Sequence, residues 1–262
     1  MQYAYSVFTK PWRMLSPEAL ADLVSEMGYN GVEFPLRDGY QAQPSDALES
    51  LPALSGVFAS RGLKIYSVAS SLDEYIFEAC ALSGVPVIRI MAGYGSEGYL
   101  QGERRTREVL WNAQPLCEKY GVRVGVQQHC GKMVNNSMEL RHLLEGLDKR
   151  FIGAVWDAAH SALAGENPEQ GLEILQEYLL MVNFKSAYYK KDTRSGGEWD
   201  IYRPYFATGG ECQFPWAHAA AYLRKSGYSG VICMPAEYTD ESNLEEKTAA
   251  DLVFLKKLLG DK

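Results

Sequence analysis

The sequence has few of the features that mark membrane-spanning, secreted or nucleic-acid-binding chains. It contains no apolar run of about 18 residues, so no transmembrane helix is expected. Residues 1–8 lack a basic region followed by a long apolar stretch, so no signal peptide is expected. No Lys/Arg-rich block is present, and the net charge of −7 disfavours nucleic acid as a partner.

Cysteine and histidine are also sparse. The five cysteines are odd in number, scattered and without a CxxC pair, which argues against a disulfide framework or a zinc knuckle. This usage predicts a cytoplasmic protein. Of the four histidines, His142 and His218 fall within predicted helices, where surface or packing roles are expected.

Strand-like and helix-like segments alternate along the whole chain. The strand candidates, rich in Val, Ile, Phe and Tyr, are 3–8, 31–34, 64–69, 87–92, 122–129, 151–157, 181–185 and 230–234. The amphipathic helix candidates are 17–27, 46–61, 73–83, 103–120, 137–147, 168–178, 215–226 and 242–259. Eight such units predict an α/β fold of the (β/α)8 TIM barrel type, with residues 1–262 forming a single domain. The competing fold is an open doubly wound sheet, which the absence of Gly-x-Gly-x-x-Gly after the first strand disfavours.

Several helix ends carry clear signals. Ser16 and Asn167 each precede a proline and a glutamate, which predicts helix N-caps there. Gly28, Gly121 and Gly227 follow helices where a left-handed residue is required.

The longest connection, residues 185–214, has no obvious regular structure and contains many aromatic residues. A long loop in a compact domain is usually functional. The aromatic side chains are equally compatible with stacking on a sugar ring and with packing on the barrel. The basic stretch 185–194 within this connection is compatible with a solvated loop and with a cover over a polar ligand.

Polar residues follow the predicted strands at their carboxyl ends, where the active sites of such barrels lie. They are Glu33, Gln127, His129, Asp157, His160, Asn183, Lys185 and Glu237. The sequence therefore predicts that these side chains meet in one pocket at one rim of the barrel.

Five motifs in order resemble the xylose-isomerase-like TIM barrel family, to which the sugar phosphate isomerases and epimerases belong. They are GYNGVE at 28–33, GVRVGVQQH at 121–129, WDAAH with AGENP at 156–168, TGGE at 208–211 and GYSG at 227–230. The resemblance covers essentially the whole chain.

This resemblance implies a divalent metal held by Glu, Asp, His and Glu on strands five to eight. Position by position, these ligands fall on Gln127, Asp157, Asn183 and Pro235, so only Asp157 keeps the family residue type. Amide groups bind hard cations weakly, and proline offers no side-chain ligand. The chain is thus a divergent member by this comparison, and the sequence leaves open whether Mn²⁺, Zn²⁺, Mg²⁺ or no metal binds at Asp157.

A second set of polar residues lies two positions beyond the replaced ligands. His129, Lys185 and Glu237 would share a strand face with those ligands, about 6–7 Å further along, if the strands continue that far. A subgroup of the family resembles this chain in carrying a lysine after strand seven and Ala-Glu-Tyr after strand eight. We expect His129 and Glu237 to act as acid and base with pKa values near neutrality, and Lys185 to stabilise an enediolate oxygen. Glu33, Gln127, His160 and Asn183 would bind substrate.

The first functional hypothesis is a sugar, sugar-phosphate or polyol isomerase or epimerase that transfers a proton next to a carbonyl, with dehydration as a related outcome. The alternative is a non-catalytic sugar-binding barrel that has lost the metal site. A DNA-repair endonuclease of related fold is disfavoured, because a multi-metal cluster needs more histidines than are present. The expected partner is a small sugar or polyol, with neither nucleic acid nor membrane, and a homo-oligomer is compatible with the sequence.

Overall fold

The computed structural model describes residues 3–193 and 199–261 and forms a closed parallel β-barrel surrounded by helices. The strands are β1 Ala4–Phe8, β2 Gly31–Pro35, β3 Lys64–Ala69, β4 Val87–Met91, β5 Arg123–Gln127, β6 Ile152–Asp157, β7 Leu179–Asn183, β8 Ser186–Lys191, β9 Tyr202–Ala207 and β10 Val231–Met234. The helices are α1 Pro17–Glu26, α2 Ala47–Ala59, α3 Glu74–Leu82, α4 Tyr99–Tyr120, α5 Ser137–Leu144, α6 Ala158–Leu163, α7 Pro168–Leu175, α8 Trp216–Ser226 and α9 Leu244–Leu259.

The eight predicted barrel strands and their parallel order are confirmed. Strands β1 to β7 follow one another around the barrel, and β10 closes it between β7 and β1. Two strands end earlier than predicted, because β5 stops at Gln127 and β7 at Asn183. His129 and Lys185 therefore lie in the loops above the barrel rather than on strands.

The predicted helix ends are confirmed by their hydrogen bonds. The Ser16 side chain accepts from the backbone N–H of Ala19 at 3.2 Å, and Asn167 caps α7 in the same way. Gly121 and Gly227 adopt the left-handed conformation at helix C-termini. One short helix, α6, was not predicted, since it follows β6 without an intervening loop.

The connection from 185 to 214 contains an antiparallel hairpin, β8–β9, so the expectation of a loop without regular structure was wrong. Ala187 of the hairpin packs on Ala159 and Leu163 of α6. Tyr188 and Tyr205 face each other across the hairpin with ring centroids 5.3 Å apart. Residues 194–198, which belong to this connection and include the last residue of the basic stretch, lie outside the described part of the chain.

The helices pack around the barrel through a continuous apolar layer, and Trp156, Phe34, Phe58 and Phe77 are among its largest fully buried side chains. Within residues 3–193 and 199–261, no helix has both the length and the apolar character needed to cross a bilayer.

Close strand contacts explain one glycine of the GYNGVE segment. A Cβ atom at Gly31 would lie 1.9 Å from the backbone oxygen of Lys64 on β3, so any larger residue must displace a barrel strand. A Cβ atom at Gly56, inside α2, would meet no atom within 4 Å.

We expect Gly31→Ala to lower the free energy of unfolding by about 3 kcal/mol or more, because overpacking against backbone cannot relax locally. Gly56→Ala should instead raise it by about 0.5–1 kcal/mol, since alanine restricts the unfolded chain and favours helix. Urea unfolding followed by circular dichroism measures both values. Equal effects of the two substitutions would contradict the predicted strand contact.

Candidate active site

A polar cleft of about 430 Å³, counting the space open to solvent, lies at the carboxyl ends of the barrel strands. Six of the predicted site residues line it, namely Glu33, Gln127, His129, Asn183, Lys185 and Glu237. The other two, Asp157 and His160, are fully buried behind its wall. As the strand-end rule predicts, these residues lie at one rim of the barrel. The rule did not distinguish residues that line the cleft from residues that support it from behind.

Asp157 organises the floor of the cleft. Its Oδ1 accepts the backbone N–H groups of Ala159 and His160 at 3.0 and 3.1 Å and so caps α6. Its Oδ2 accepts a hydrogen bond from Gln127 Nε2 at 2.7 Å and a longer one from Asn183 Nδ2 at 3.5 Å. Both carboxylate oxygens are therefore occupied by protein donors.

The four positions at which the resemblance implies metal ligands do not fit that metal site. Gln127 and Asn183 direct their amide nitrogens, not their carbonyl oxygens, at Asp157. The Lys185 ammonium lies 3.8 Å from Asp157 Oδ2, so a cation already neighbours the retained carboxylate. A second positive charge there would be repelled, which disfavours a divalent metal at these residues.

Lys185 is a buried, fully paired cation. Its side chain is 5% exposed, and Nζ donates to Glu237 Oε2 at 2.7 Å. Nζ also lies 5.0 Å from the centroid of the Phe206 ring, which belongs to the hairpin. Burial alone would lower the pKa of Lys185, but the negative charges of Asp157 and Glu237 outweigh it and raise that pKa. The ammonium is therefore charged at neutral pH.

Glu237 is aimed into the cleft by an uncommon backbone turn. Ala236, which precedes it, adopts φ 51, a left-handed conformation that costs an L-residue about 1–2 kcal/mol. This turn places Glu237 between Lys185 and Lys10, whose Nζ lies 2.9 Å from Oε1. Burial raises the pKa of the carboxyl, but the two ammonium groups outweigh it and lower the pKa to about 2. The expectation of a pKa near neutrality was therefore wrong for Glu237 in the ligand-free protein.

His129 is the cleft residue best arranged to accept a proton. Its Nδ1 lies 2.9 Å from the carbonyl oxygen of Cys130, and because a carbonyl only accepts, Nδ1 carries the hydrogen. The neutral ring then has its lone pair on Nε2. His129 follows β5 and Glu237 follows β10. Because β6 and β7 lie between these two strands in the barrel, the two side chains approach a ligand from different sides.

His160 supports His129 from behind and does not line the cleft. The two rings lie with centroids 3.9 Å apart, and His160 Nδ1 accepts the backbone N–H of Cys130 at 3.3 Å. Burial, followed by the charge of Lys185, holds the pKa of His160 well below its usual value, so the ring stays neutral. Its position favours a supporting role over the direct substrate contact predicted for it.

The donor atoms of His129, Cys130 and His160 lie within 4.8 Å of one another, so these residues could together hold a metal ion. Imidazole and thiolate are ligands that Zn²⁺ accepts. The hydrogen bond into His160 Nδ1 leaves the hydrogen of the neutral ring on Nε2, so His160 presents no free lone pair in this arrangement. Metal binding here would require that contact to break.

Arg89 and Glu33 form the opposite wall, and the sequence reasoning missed the arginine. Both side chains are buried, and Arg89 Nε donates to Glu33 Oε1. The Cys233 thiol also contacts Glu33, at 3.4 Å from Oε2, and the Arg89 guanidinium lies 5.0 Å above the Phe8 ring. The available signal was an arginine in the middle of the apolar strand VIRIM, because a charge buried there needs a partner inside the barrel.

The cleft has an excess of positive charge in a protein whose net charge is −7. Among the residues that the structure describes, four cationic side chains line it, against two carboxylates: Lys10, Arg37, Arg89 and Lys185 against Glu33 and Glu237. Lys10 and Arg37, like Arg89, were not among the predicted site residues. They follow β1 and β2, where the same strand-end rule would have found them.

We expect Glu237→Gln to lower the free energy of unfolding by about 2 kcal/mol at neutral pH, because it removes the charge that Lys185 and Lys10 contact. The Glu237 pKa is about 2 in the folded protein, below the 4.5 of a free glutamate. The difference in free energy of unfolding between wild type and Glu237→Gln should therefore reach its full value above about pH 4.5 and decrease as the pH falls below that value. Urea unfolding at a series of pH values tests this. Exposed Glu241→Gln is the control, and a pH-independent difference between wild type and Glu237→Gln would contradict the pairing.

Comparison with known proteins agrees with this architecture. A family model described as a xylose isomerase-like TIM barrel matches residues 21–258. No curated protein sequence gave a significant match. Among solved structures, D-psicose 3-epimerase from Clostridium cellulolyticum H10, in a complex with D-tagatose, superimposes with a TM-score of 0.75 at 13% identity, covering 98% of this chain and 99% of that one.

Two further structures are similar over their full length. They are 3-keto-D-glucoside 4-epimerase from E. coli, with a TM-score of 0.73, 14% identity and coverage of 98% and 100%, and a probable 3-DHS dehydratase from Bacillus anthracis, with a TM-score of 0.74, 14% identity and coverage of 98% and 99%. At these identities the similarity shows a shared fold. With the family model covering most of its length, the chain belongs to the xylose isomerase-like TIM barrel family.

Proposed function

We propose that this protein is a sugar isomerase or epimerase that moves a proton next to a carbonyl group, with its reacting centre in the polar cleft. The observation that carries the proposal is the buried Lys185 ammonium, held at the cleft by Asp157 and Glu237. Loss of a proton beside a carbonyl leaves negative charge on the carbonyl oxygen. A fixed cation in a site of low dielectric stabilises that oxygen more than it stabilises the neutral substrate.

The acid and base are assigned to His129 and Glu237. His129 Nε2 accepts the proton from carbon, the electron pair moves onto the carbonyl oxygen, and Lys185 neutralises the developing charge. In isomerisation His129 returns its proton to the former carbonyl carbon, while Glu237 carries the hydroxyl proton to the enediolate oxygen. In epimerisation Glu237, once protonated, gives a proton to the opposite face of the same carbon. In dehydration protonated His129 gives its proton to the departing neighbouring hydroxyl, which leaves as water.

Glu237 becomes a stronger base once substrate binds. In the free protein its carboxylate accepts from Lys185 at 2.7 Å, and this contact contributes to its low pKa. When Lys185 turns its hydrogen bond toward a substrate oxygen, Glu237 loses that stabilisation and its pKa rises. This exchange couples substrate binding to proton transfer.

The remaining lining residues bind hydroxyl groups. Gln127 and Asn183 each give one amide hydrogen to Asp157, and both residues line the cleft. Glu33, fixed by Arg89, offers a carboxylate for a sugar hydroxyl. The ligand class is a small sugar or polyol, in keeping with the sugars named for the structurally similar epimerases.

A second candidate is a barrel that binds a sugar without converting it. Its support is the replacement of three implied metal ligands and the strong ion pair that occupies Glu237 in the free protein. The two candidates differ in whether bound sugar exchanges carbon-bound hydrogen with water.

Incubation with a panel of ketoses and aldoses in D₂O, followed by proton NMR, tests the proposal. We expect loss of the signal from the carbon next to the carbonyl for at least one sugar. Lys185→Met should slow this exchange by about hundredfold or more, because it removes the charge that stabilises the enediolate. Lys185→Arg should retain part of the rate.

The matched control is Lys190→Met, which removes an exposed lysine of the hairpin and should leave exchange unchanged. Circular dichroism of Lys185→Met separates loss of chemistry from loss of fold. Exchange that persists in folded Lys185→Met would overturn the role of the lysine. Tight binding of a sugar without exchange across the panel would favour the second candidate.

A further inference from the structure

A second cavity opens beside the polar cleft and shares three wall residues with it. The shared residues are Arg37, Arg89 and Met91, so the two spaces are contiguous. This outer groove lies above the carboxyl ends of β2, β3 and β4 and is bounded on its far side by α4. It encloses about 1170 Å³, counting the space open to solvent, against about 430 Å³ for the cleft.

The outer groove differs from the cleft in chemistry. Leu72, Ile90, Met91, Val109 and Met133 supply apolar walls. Met91 and Val109 are 37% and 46% exposed, so both apolar side chains present surface to the groove. The cleft, in contrast, is lined mainly by charged and amide groups.

The size and position of the groove indicate the kind of occupant. Protein partners typically cover about 800 Å² on each side, far more than a groove a few side chains across. The cavity volume of the groove is about 610 Å³, within the roughly 300–1,000 Å³ of small-ligand pockets. Because the groove joins the cleft directly, one molecule can fill both.

We propose that the natural ligand is a sugar bearing an apolar substituent, with the sugar ring in the polar cleft and the substituent in the outer groove. This inference rests on the function proposed above and specifies its substrate class, a conjugate in which the sugar keeps the carbonyl group that the proton transfer requires.

The two arginines at the junction fit this arrangement. Arg89 is held in place by Glu33, and its guanidinium lies at the boundary between the two spaces. The exposed Arg37 has its guanidinium 6.0 Å from the Phe8 ring centroid. Guanidinium groups at this boundary can donate to the oxygen that links sugar and substituent, while the substituent continues over Met91.

Calorimetric titration with methyl and phenyl β-glycosides of glucose, galactose and mannose tests the proposal. For at least one hexose we expect the phenyl glycoside to bind about tenfold or more tightly than the methyl glycoside, the gain expected for burying one ring. Val109→Asp places a charge on the groove wall and should reduce this preference to about threefold or less. Val253→Asp, at an exposed helical valine on α9, changes the net charge equally and should leave the preference intact.

The outcomes separate this inference from the proposed function. Methyl and phenyl glycosides have no free carbonyl and serve here as binding probes that do not react. If free sugars exchange hydrogen but phenyl glycosides bind no better than methyl glycosides, the conjugate inference is overturned and the proposed function stands. A phenyl preference that survives Val109→Asp places the ring elsewhere and also overturns it. Absence of both binding and exchange across the whole panel overturns both.

Discussion

The site depends on one buried charge, the carboxylate of Asp157. With no exposure to solvent, it is tolerated only because two backbone N–H groups, Gln127 and the nearby Lys185 ammonium compensate for lost hydration. These contacts have structural consequences. They start α6 directly after β6, orient Gln127 and keep Lys185 at the floor of the cleft. The hairpin then packs on α6 and brings Phe206 over the same ammonium.

Lys185 connects this buried network to the cleft. An isolated lysine at such a depth would lose its proton, but Asp157 and Glu237 keep it charged. The cleft thus contains a fixed positive charge close to the carboxylate at which the family resemblance implies a metal. A metal ion accepts lone pairs from its ligands, whereas an ammonium donates hydrogen bonds, so it stabilises acceptor atoms that lie within hydrogen-bond distance. The hydrogen bond that Lys185 donates to Glu237 could instead be donated to a ligand oxygen.

The mouth of the barrel combines two unlike surfaces. The cleft concentrates cations in an acidic protein, whereas the adjoining groove has more apolar walls and is partly exposed. The cleft and the groove share three wall residues, Arg37, Arg89 and Met91. A ligand that extends from the cleft into the groove would therefore form directional hydrogen bonds in the cleft and bury apolar surface in the groove. Specificity for the sugar would come from the first and much of the affinity from the second.

The sequence by itself determined the barrel, because eight buried strands, capped helices and left-handed glycines are local signals that agree with one another. It also determined that Gln127, Asn183, Lys185 and Glu237 share a rim, since parallel strands end on the same side. Only the tertiary structure decided which groups pair. Lys10 meets Glu237 across 227 positions and Arg89 meets Glu33 across 56, contacts that barrel closure creates and no local pattern records. The pKa of Glu237 follows from those pairings, because it depends on the charges that folding brings to within hydrogen-bond distance.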